Sequence, residues 1–337
     1  MAAQGYFELN NRPSIIAWTS VVGPKEGQGP LAKYFDEVLS DDTMGLPSYE
    51  KTESAMMRKA ARMALDKAEL AEEDISVMLG GDLLNQIIGS GYAAREMKIP
   101  FLGLYGACST MAESLLIGSL ILSGGYGQYA LCMTSSHFSS AERQYRFPLE
   151  HGNQRPPSGQ WTVTGSGATV LTTNPGLKGP VIESVTLGAI SDKGIKDVNN
   201  MGAAMAPAAA ETITNHLIGS GMTPADYDHI ITGDLGRVGS DILLDLLAVN
   251  GVDIQDRHFD CGCEIYGDMK GIKAGGSGCG CSAVVLNGYF IPKLARGELT
   301  RILFVATGAL MSPTSSQQGE SIPGIAHAVS IAKEGMQ

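Results

Sequence analysis

Cys108 is the residue of this sequence best placed for covalent chemistry, because it stands at the predicted start of a helix. It lies in the segment 104–110, which leads into an apolar stretch that ends at Ser123. The positive end of a helix dipole lowers the pKa of a thiol and favours the reactive thiolate. The small neighbours Gly106 and Ala107 would let a substrate carbonyl approach. The segment alone fits a small core residue at a helix start equally well, so both interpretations stay open.

The other cysteines lack the usual spacing of a metal site. Six cysteines occur, and four of them form the pairs Cys261–Cys263 and Cys279–Cys281, each divided by one glycine. Zinc ligands are usually separated by about two to four residues. We therefore interpret the pairs as small core residues, with zinc as the alternative, and predict neither a metal nor a cofactor. Met1–Asn11 lacks the apolar core of a signal peptide, so free thiols in a reducing compartment are expected.

An internal repeat indicates which helices and strands position these residues. Gly81-Asp82-Leu83 recurs as Gly233-Asp234-Leu235, 152 positions later (82 to 234), and Asp74 matches Asp226 at the same spacing. Each copy reads as a helix, a strand, a buried helix and a strand. The predicted spans are 48–70, 75–80, 110–123 and 129–134, then 211–221, 229–232, 282–294 and 301–306, with further strands at 15–22 and 161–171.

This order of elements predicts an α/β protein made of two similar halves, 1–178 and 179–337. Alternating strands and helices in two copies imply two parallel-type sheets with helices packed on them. The alternative is a generic doubly wound fold whose repeat arose by chance.

The repeat and the position of Cys108 together resemble the thiolase and ketosynthase superfamily. In that superfamily each half supplies a sheet, and the nucleophilic cysteine stands at the start of the buried helix of the first half. The segment 164–168 resembles the glycine-rich strand that closes the first half. Over essentially the whole chain, the resemblance implies a duplicated αβαβα layered fold with a pseudo-two-fold axis. It also implies a homodimer formed through the central strand of the first half.

The second half lacks the histidine and asparagine that thiolase-type condensing enzymes place beside the cysteine. The loop after its first strand, 232–236, and the stretch before its buried helix, 273–281, contain neither residue. Without a base and an oxyanion donor the reaction loses roughly several powers of ten in rate. The charge of Asp234 would also oppose a developing anion. The sequence therefore predicts a protein that is not an enzyme. The alternative is an active acyl-thioester condensing enzyme or acyltransferase with Cys108 as nucleophile.

Longer motifs resemble the stage V sporulation protein AD family of spore-forming Firmicutes. They are 23–31, 80–86, 105–110, 134–138, 141–148 and 260–264. The resemblance implies binding of dipicolinic acid, free or as its calcium chelate, for uptake into the forespore and release on germination. It implies other stage V sporulation A membrane proteins as partners, and a peripheral location on the inner spore membrane. A purely structural scaffold for those partners is a third interpretation.

A dianion such as dipicolinate needs cationic groups, hydroxyls and backbone N–H groups at helix starts. Ligands of open α/β sheets lie beyond the carboxyl ends of strands, so residues following the strand 129–134 are candidates. The predicted ligand-binding residues are Cys108, Ser135, Ser136, His137, Arg143, Arg146, Asp234, Lys273 and Ser277. We expect Cys108 at the bottom of the pocket, 135–137 on one wall and the two arginines near the mouth. The alternatives are solvated or dimer-contact arginines, a buried histidine with satisfied hydrogen bonds and a surface lysine.

The overall composition excludes two classes of function. A net charge of −11 argues against nucleic-acid binding by general electrostatics. The longest apolar run, Leu115–Leu122, is far shorter than the about 20 residues that span a bilayer. We expect a soluble or peripheral protein.

Overall fold

The computed structural model describes residues 4–145 and 155–335. Its strands are β1 (Tyr6–Glu8), β2 (Ser14–Val22), β3 (Glu37–Val38), β4 (Val77–Gly81), β5 (Phe101–Gly103), β6 (Tyr129–Ser136), β7 (Trp161–Thr162), β8 (Gly165–Thr172), β9 (Val181–Thr186), β10 (His229–Thr232), β11 (His258–Asp260), β12 (Gly276–Ser277), β13 (Arg301–Ala309) and β14 (Gly324–Ala332). Its helices are α1 (Tyr49–Ala68), α2 (Ile88–Met97), α3 (Thr110–Ser123), α4 (Phe138–Tyr145), α5 (Met201–Ser220), α6 (Gly236–Val249), α7 (Cys261–Tyr266), α8 (Cys279–Val285), α9 (Ile291–Ala295) and α10 (Pro313–Gln317).

The main sheet has the same strand order on both sides of its middle. The order is β11-β10-β13-β14-β9-β2-β8-β6-β4-β5. Counted outward from the β9–β2 junction, β8 and β14 each run antiparallel to both neighbours, while the outer strands of each side run parallel. Strands β2 and β9 meet through a single register pair, Ser14 with Val181, and β1 also pairs with β9. This symmetry is what a duplicated fold requires, although the exact division at residues 178 and 179 stays a prediction.

Three separate cores define five layers. One core joins the first-half strands to α1 and α2, and a second joins the second-half strands to α5 and α6. The third contains α3 and α8 with strands of both halves. The buried helices therefore lie between the two sheet halves, and the layers follow the order αβαβα. The predicted fold class is confirmed.

The repeat seen in the sequence has a structural counterpart at each matched aspartate. Asp74 and Asp226 end equivalent 3-10 turns, where each carboxylate accepts a hydrogen bond from the backbone N–H three residues earlier. Asp82 follows β4, and Asp234 follows β10 by two residues. Both strands occupy the same place in their halves, so the predicted equivalence of Asp82 and Asp234 is confirmed.

Several element boundaries differ from those predicted. Helix α5 begins at Met201, ten positions before the predicted start at 211. Its small apolar residues 202–210 are buried on nearly every side, so the sequence there has no helical period from which the start could be predicted. The predicted helix 282–294 begins at Cys279 and is interrupted by a π-helical turn, Leu286–Phe290. The predicted strand 161–171 divides into β7, which pairs with β12, and β8, which pairs with β2 and β6.

The central strand of the first half cannot supply a dimer edge. Strand β6 is hydrogen-bonded to β4 on one side and to β8 on the other, and all eight of its residues are buried. The edge strand of this half is β5, which pairs only with β4 among the described residues. This placement corrects the strand through which a homodimer was expected. Within the described ranges, none of the helices has both the length and the apolar character needed to cross a membrane.

Candidate functional site

A cleft of about 430 Å³ opens beside the start of α3. Its walls come from the segment after β4, the start of α3, the end of α4 and the segment after β13. The described residues that line it are Asp82, Leu83, Leu84, Asn85, Gln86, Ile87, Tyr105, Ala107, Cys108, Ala141, Glu142, Tyr145, Thr162, Met201, Ser277, Ala309, Leu310, Met311, Ser312 and Ser315. The volume suits a small organic molecule.

Cys108 lies at the inner end of this cleft. It belongs to a 3-10 turn, Ala107–Ser109, that runs directly into α3, and it is only 5% exposed. Its thiol lies close enough to the carboxylate of Asp234 for the two groups to interact electrostatically. Burial raises the pKa of the Cys108 thiol well above its usual value, and the charge of Asp234 raises it further. The expectation of a lowered thiol pKa is therefore wrong, because burial and a nearby carboxylate outweigh the helix start.

Asp234 accepts hydrogen bonds from three groups of the second half. The donors are the hydroxyl of Ser277 at 3.1 Å, the N–H of Gly278 at 2.9 Å and the hydroxyl of Thr307 at 2.9 Å. No cation contacts the carboxylate among the described residues, and burial raises the pKa of Asp234 to about 6. Asp234 is fully buried and is not among the described residues that line the cleft, so its predicted contact with a ligand is not seen.

A second aspartate, Asp260, holds the loop that carries Asp234. Its carboxylate accepts from the hydroxyl of Thr232 at 2.7 Å, from the N–H groups of Leu235 at 2.8 Å and Gly236 at 3.0 Å, and from the N–H of Cys263 at 2.9 Å. The same carboxylate thus caps α7 and fixes both ends of the β10–α6 connection. The motif at 260–264 has a positioning role in this arrangement.

Ser277 reaches the cleft through the short sheet formed by β7 and β12. Ser277 pairs with Thr162 in a parallel register, and both residues line the cleft. The hydroxyl of Thr162 donates to the carboxylate of Glu142, which also forms an ion pair with Arg155 at 3.0 Å. The second half therefore contributes a wall residue, as predicted for Ser277.

The structure places the predicted wall residues Ser135, Ser136 and His137 behind the cleft. All three are buried and bond inward. Ser135 donates to Glu53, and Ser136 donates to the carbonyl of Val163. The His137 ring bonds to the backbone carbonyl of Asp42 at 2.7 Å and accepts from the N–H of Ser139. Strand β6 extends two residues beyond its predicted end, which draws these side chains into the core.

The predicted cationic residues do not converge on the cleft. Arg143 is exposed on α4, pairs with Glu50 and borders a separate shallow cavity. Lys273 is exposed and lies outside the lining of the cleft. Arg146 lies outside the described residues. The charged residues that line the cleft within the described ranges are Asp82 and Glu142, both acidic.

Three residues with left-handed backbone conformations surround the cleft. Gln86, Ile87 and Ala107 have φ of 55°, 46° and 49°, and all three line it. Such conformations cost free energy in residues other than glycine, most of all in a β-branched residue. Asp82 pins the segment that contains two of them, since its carboxylate accepts from the N–H of Leu84 and from the N–H and hydroxyl of Ser90.

Several of these lining residues were not singled out from the sequence. Three of them, Tyr105, Glu142 and Tyr145, lie within the motifs that resemble the family. Their spacing in the sequence does not indicate that they line one cleft. Asp82 carried a signal, because it is the repeat partner of Asp234. The described cysteines are free thiols, and no group of potential ligands within the described ranges could hold a metal ion.

Comparison with known proteins decides the family. The model of the stage V sporulation protein AD family matches residues 3–332. The chain belongs to this family. The stage V sporulation protein AD of Bacillus subtilis strain 168 is 46% identical over 316 residues, which cover 94% of this chain and 93% of that protein. Membership in the stage V sporulation protein AD family gives the chain a role in sporulation.

Solved structures of similar fold are thiolase-like. The 3-oxoacyl-[acyl-carrier-protein] synthase III of Aquifex aeolicus VF5 has a TM-score of 0.59 at 15% identity, covering 95% of this chain and 99% of that one. OleA from Xanthomonas campestris with bound cerulenin has a TM-score of 0.60 at 14% identity, covering 98% of this chain and 100% of that one. At such identities the likeness establishes the fold alone.

Proposed function

We propose that the cleft binds dipicolinic acid, free or as its calcium chelate, and does not turn it over. The observation that carries this proposal is the burial of the Cys108 thiol beside the buried Asp234 carboxylate, whose charge further raises the pKa of the thiol. A thiol whose pKa is raised by burial and by a neighbouring negative charge is a poor nucleophile. The identity of the ligand rests on the family resemblance, and the cleft has a suitable volume for it.

The charges of the cleft favour the calcium chelate over the free dianion. Asp82 and Glu142 are the charged lining residues within the described ranges. Asp82 would repel a dianion, whereas the charge of Glu142 is offset by its ion pair with Arg155. Dipicolinate and one calcium ion form a chelate without net charge. Calcium takes about six to eight oxygen ligands, so the chelated ion can accept further oxygen atoms. Tyr105 and Tyr145 offer aromatic surface for the pyridine ring.

The proposed biological role follows from the family. The protein would bind dipicolinate during its uptake into the forespore and would dissociate from it during its release at germination. Its partners would be the other stage V sporulation A membrane proteins, beside which it would lie peripherally on the inner spore membrane. A homodimer would form through β5, whose outer edge is free of strand pairing among the described residues.

Calorimetric titration tests the ligand and its charge state together. Calcium dipicolinate is expected to bind, and dipicolinate with a calcium chelator present is expected to bind about tenfold more weakly, which corresponds to about 1.4 kcal/mol. Calcium with isophthalate, which lacks the ring nitrogen, serves as the matched control and should give no heat of binding. The absence of binding by both forms of dipicolinate, or equal binding of isophthalate, would contradict the proposal.

The alternative is an active enzyme that uses Cys108 on acyl thioesters. It is favoured by the thiolase-like neighbours, one of which is named as a 3-oxoacyl-[acyl-carrier-protein] synthase. Incubation with acyl-CoA followed by mass spectrometry separates the two functions. We expect no acyl adduct on Cys108, whereas an adduct that forms and is then turned over would support the enzyme.

A further inference from the structure

A second cavity, of about 440 Å³, lies beside the loop that follows β2. It shares no lining residue with the cleft described above. Its described lining residues are Pro24, Lys25, Glu26, Gln28, Asp41, Asp42, Phe138, Trp161 and Thr164. Four of them belong to the glycine- and proline-rich motif 23–31, to which the cleft assigns no role.

An aromatic pair and an ammonium group form one side of this cavity. Phe138 and Trp161 stack with their ring centroids 4.2 Å apart and their planes 17° from parallel. The Nζ of Lys25 lies 4.2 Å from the centroid of the Trp161 ring. No carboxylate in the part of the chain that the structure describes forms an ion pair with Lys25. The positive charge of Lys25 is therefore held by an aromatic face and remains available to an anion.

Glu26 supplies a buried polar atom without a partner. The residue is 1% exposed, and its Oε1 accepts from the N–H of Thr164 at 3.1 Å and from the hydroxyl of Tyr266. Its Oε2 has no hydrogen-bond partner among the described residues. Burial raises the pKa of Glu26. Both described donors are directed at Oε1, which leaves Oε2 as the unpartnered oxygen of this carboxyl group.

Asp42 supplies a negative charge at the rim of the cavity. It is exposed, and its backbone carbonyl is fixed by the ring of His137 at 2.7 Å. Its carboxylate accepts no hydrogen bond from any described residue. The carboxylate of its neighbour Asp41 is instead occupied by Thr43 and the N–H of Met44.

We propose that this cavity binds a small zwitterion with an apolar side chain, such as a free aromatic amino acid. Lys25 would bind its carboxylate, Asp42 would bind its ammonium group, and the Phe138–Trp161 pair would pack against its side chain. An anion alone would meet the charge of Asp42, and a cation alone would meet that of Lys25. The site is separate from the dipicolinate cleft and does not depend on its function.

Titration with three matched probes tests the requirement for both charges. L-Phenylalanine carries both, 3-phenylpropionate lacks the ammonium group and phenethylamine lacks the carboxylate. We expect L-phenylalanine to bind and each of the other two to bind about tenfold more weakly or not at all. Calcium dipicolinate should not compete with it. Equal affinity for the three probes, or no binding of L-phenylalanine at millimolar concentration, overturns the proposal.

Substitutions locate the binding site. Lys25→Gln and Asp42→Asn should each weaken L-phenylalanine binding about tenfold. Lys33 provides the matched control, since its Nζ lies 5.0 Å from the ring centroid of Tyr34 in another part of the chain. Lys33→Gln should bind like the wild type. If Lys25→Gln and Asp42→Asn also retain full affinity, the zwitterion binds elsewhere and the assignment of this cavity is refuted.

Discussion

The carboxyl group of Asp234 receives hydrogen bonds from two side chains and one backbone N–H, yet its pKa is raised to about 6. Each donor favours the charged form, and complete burial opposes it more strongly. Near neutral pH the group is therefore mostly ionised, and its charge raises the pKa of the adjacent Cys108 thiol. In the proposed binding function, this one residue accounts for the low reactivity of Cys108.

Replacing Asp234 with asparagine should change the pH dependence of stability. A carboxyl group whose pKa is raised in the folded state stabilises the fold below about pH 4, and this stabilisation is lost as pH rises through about 6. Relative to Asp234→Asn, the free energy of unfolding of the wild type should fall by about 3 kcal/mol over that range. Urea unfolding at a series of pH values measures the difference, and parallel pH profiles would show that the pKa of Asp234 is not raised.

Dipicolinate binding should depend little on Arg143 and modestly on Cys108. Arg143 pairs with Glu50 away from the cleft, so Arg143→Ala should leave the affinity within about threefold. Cys108→Ala removes packing and a weak donor, and should cost about 1 kcal/mol or less. Calorimetric titration of both variants with calcium dipicolinate tests this placement of Arg143 and Cys108 relative to the ligand. A tenfold loss in Arg143→Ala, or complete loss in Cys108→Ala, would contradict it.

Residue types alone predicted part of the site. Cys108 and Ser277 line the cleft as expected, whereas Asp234 is buried beside Ser277 and lies outside the lining. The failure at Ser135, Ser136 and His137 has a simple cause. All eight residues of β6 are buried, so the side chains at its end find partners inside the core instead of facing a ligand. The sequence does not indicate the last residue of a strand more precisely than about two positions, and β6 ends two residues beyond its predicted end.

At the scale of elements, glycines allow the buried helix α8 to lie against β8. A Cβ built on Gly167 would lie 2.8 Å from the carbonyl oxygen of Ala283, which is closer than atoms of these types can approach. Gly167→Ala should therefore destabilise the protein by about 1–3 kcal/mol. Gly91→Ala in α2 is the control, since nothing lies within 4 Å of its added Cβ, and it should stabilise by up to about 1 kcal/mol. Denaturant midpoints would measure both, and equal effects would refute the packing argument.

Two elements keep the bounds that the sequence predicts. Helix α3 and strand β10 have their predicted bounds, 110–123 and 229–232. The π-helical turn inside the second buried helix had no sequence signal. Asn287 in that turn donates to the backbone carbonyls of Thr19 and Ala168, a long-range contact that no local pattern contains.

At the scale of the whole molecule, β5 and β11 are the two end strands of the main sheet within the described residues, and β5 is the one proposed for self-association. Leu102 on this strand is 44% exposed. If the protein is a homodimer through β5, Leu102→Glu should place two like charges in the interface and yield monomers. Val249→Glu is the matched control, because Val249 is 86% exposed on the other half. Sedimentation velocity should show half the mass for Leu102→Glu only. A wild type that sediments as a monomer would refute the dimer.

The left-handed residues around the cleft bear on its history. Three residues, Gln86, Ile87 and Ala107, have a backbone conformation that glycine adopts without penalty. Holding a residue other than glycine in this conformation costs roughly 1 kcal/mol or more of folding free energy. A cleft surviving only as a vestige of an ancestral enzyme would be free to relax, since one substitution to glycine relieves each cost. Three such costs on one small surface therefore favour a functional cleft over a vestigial one.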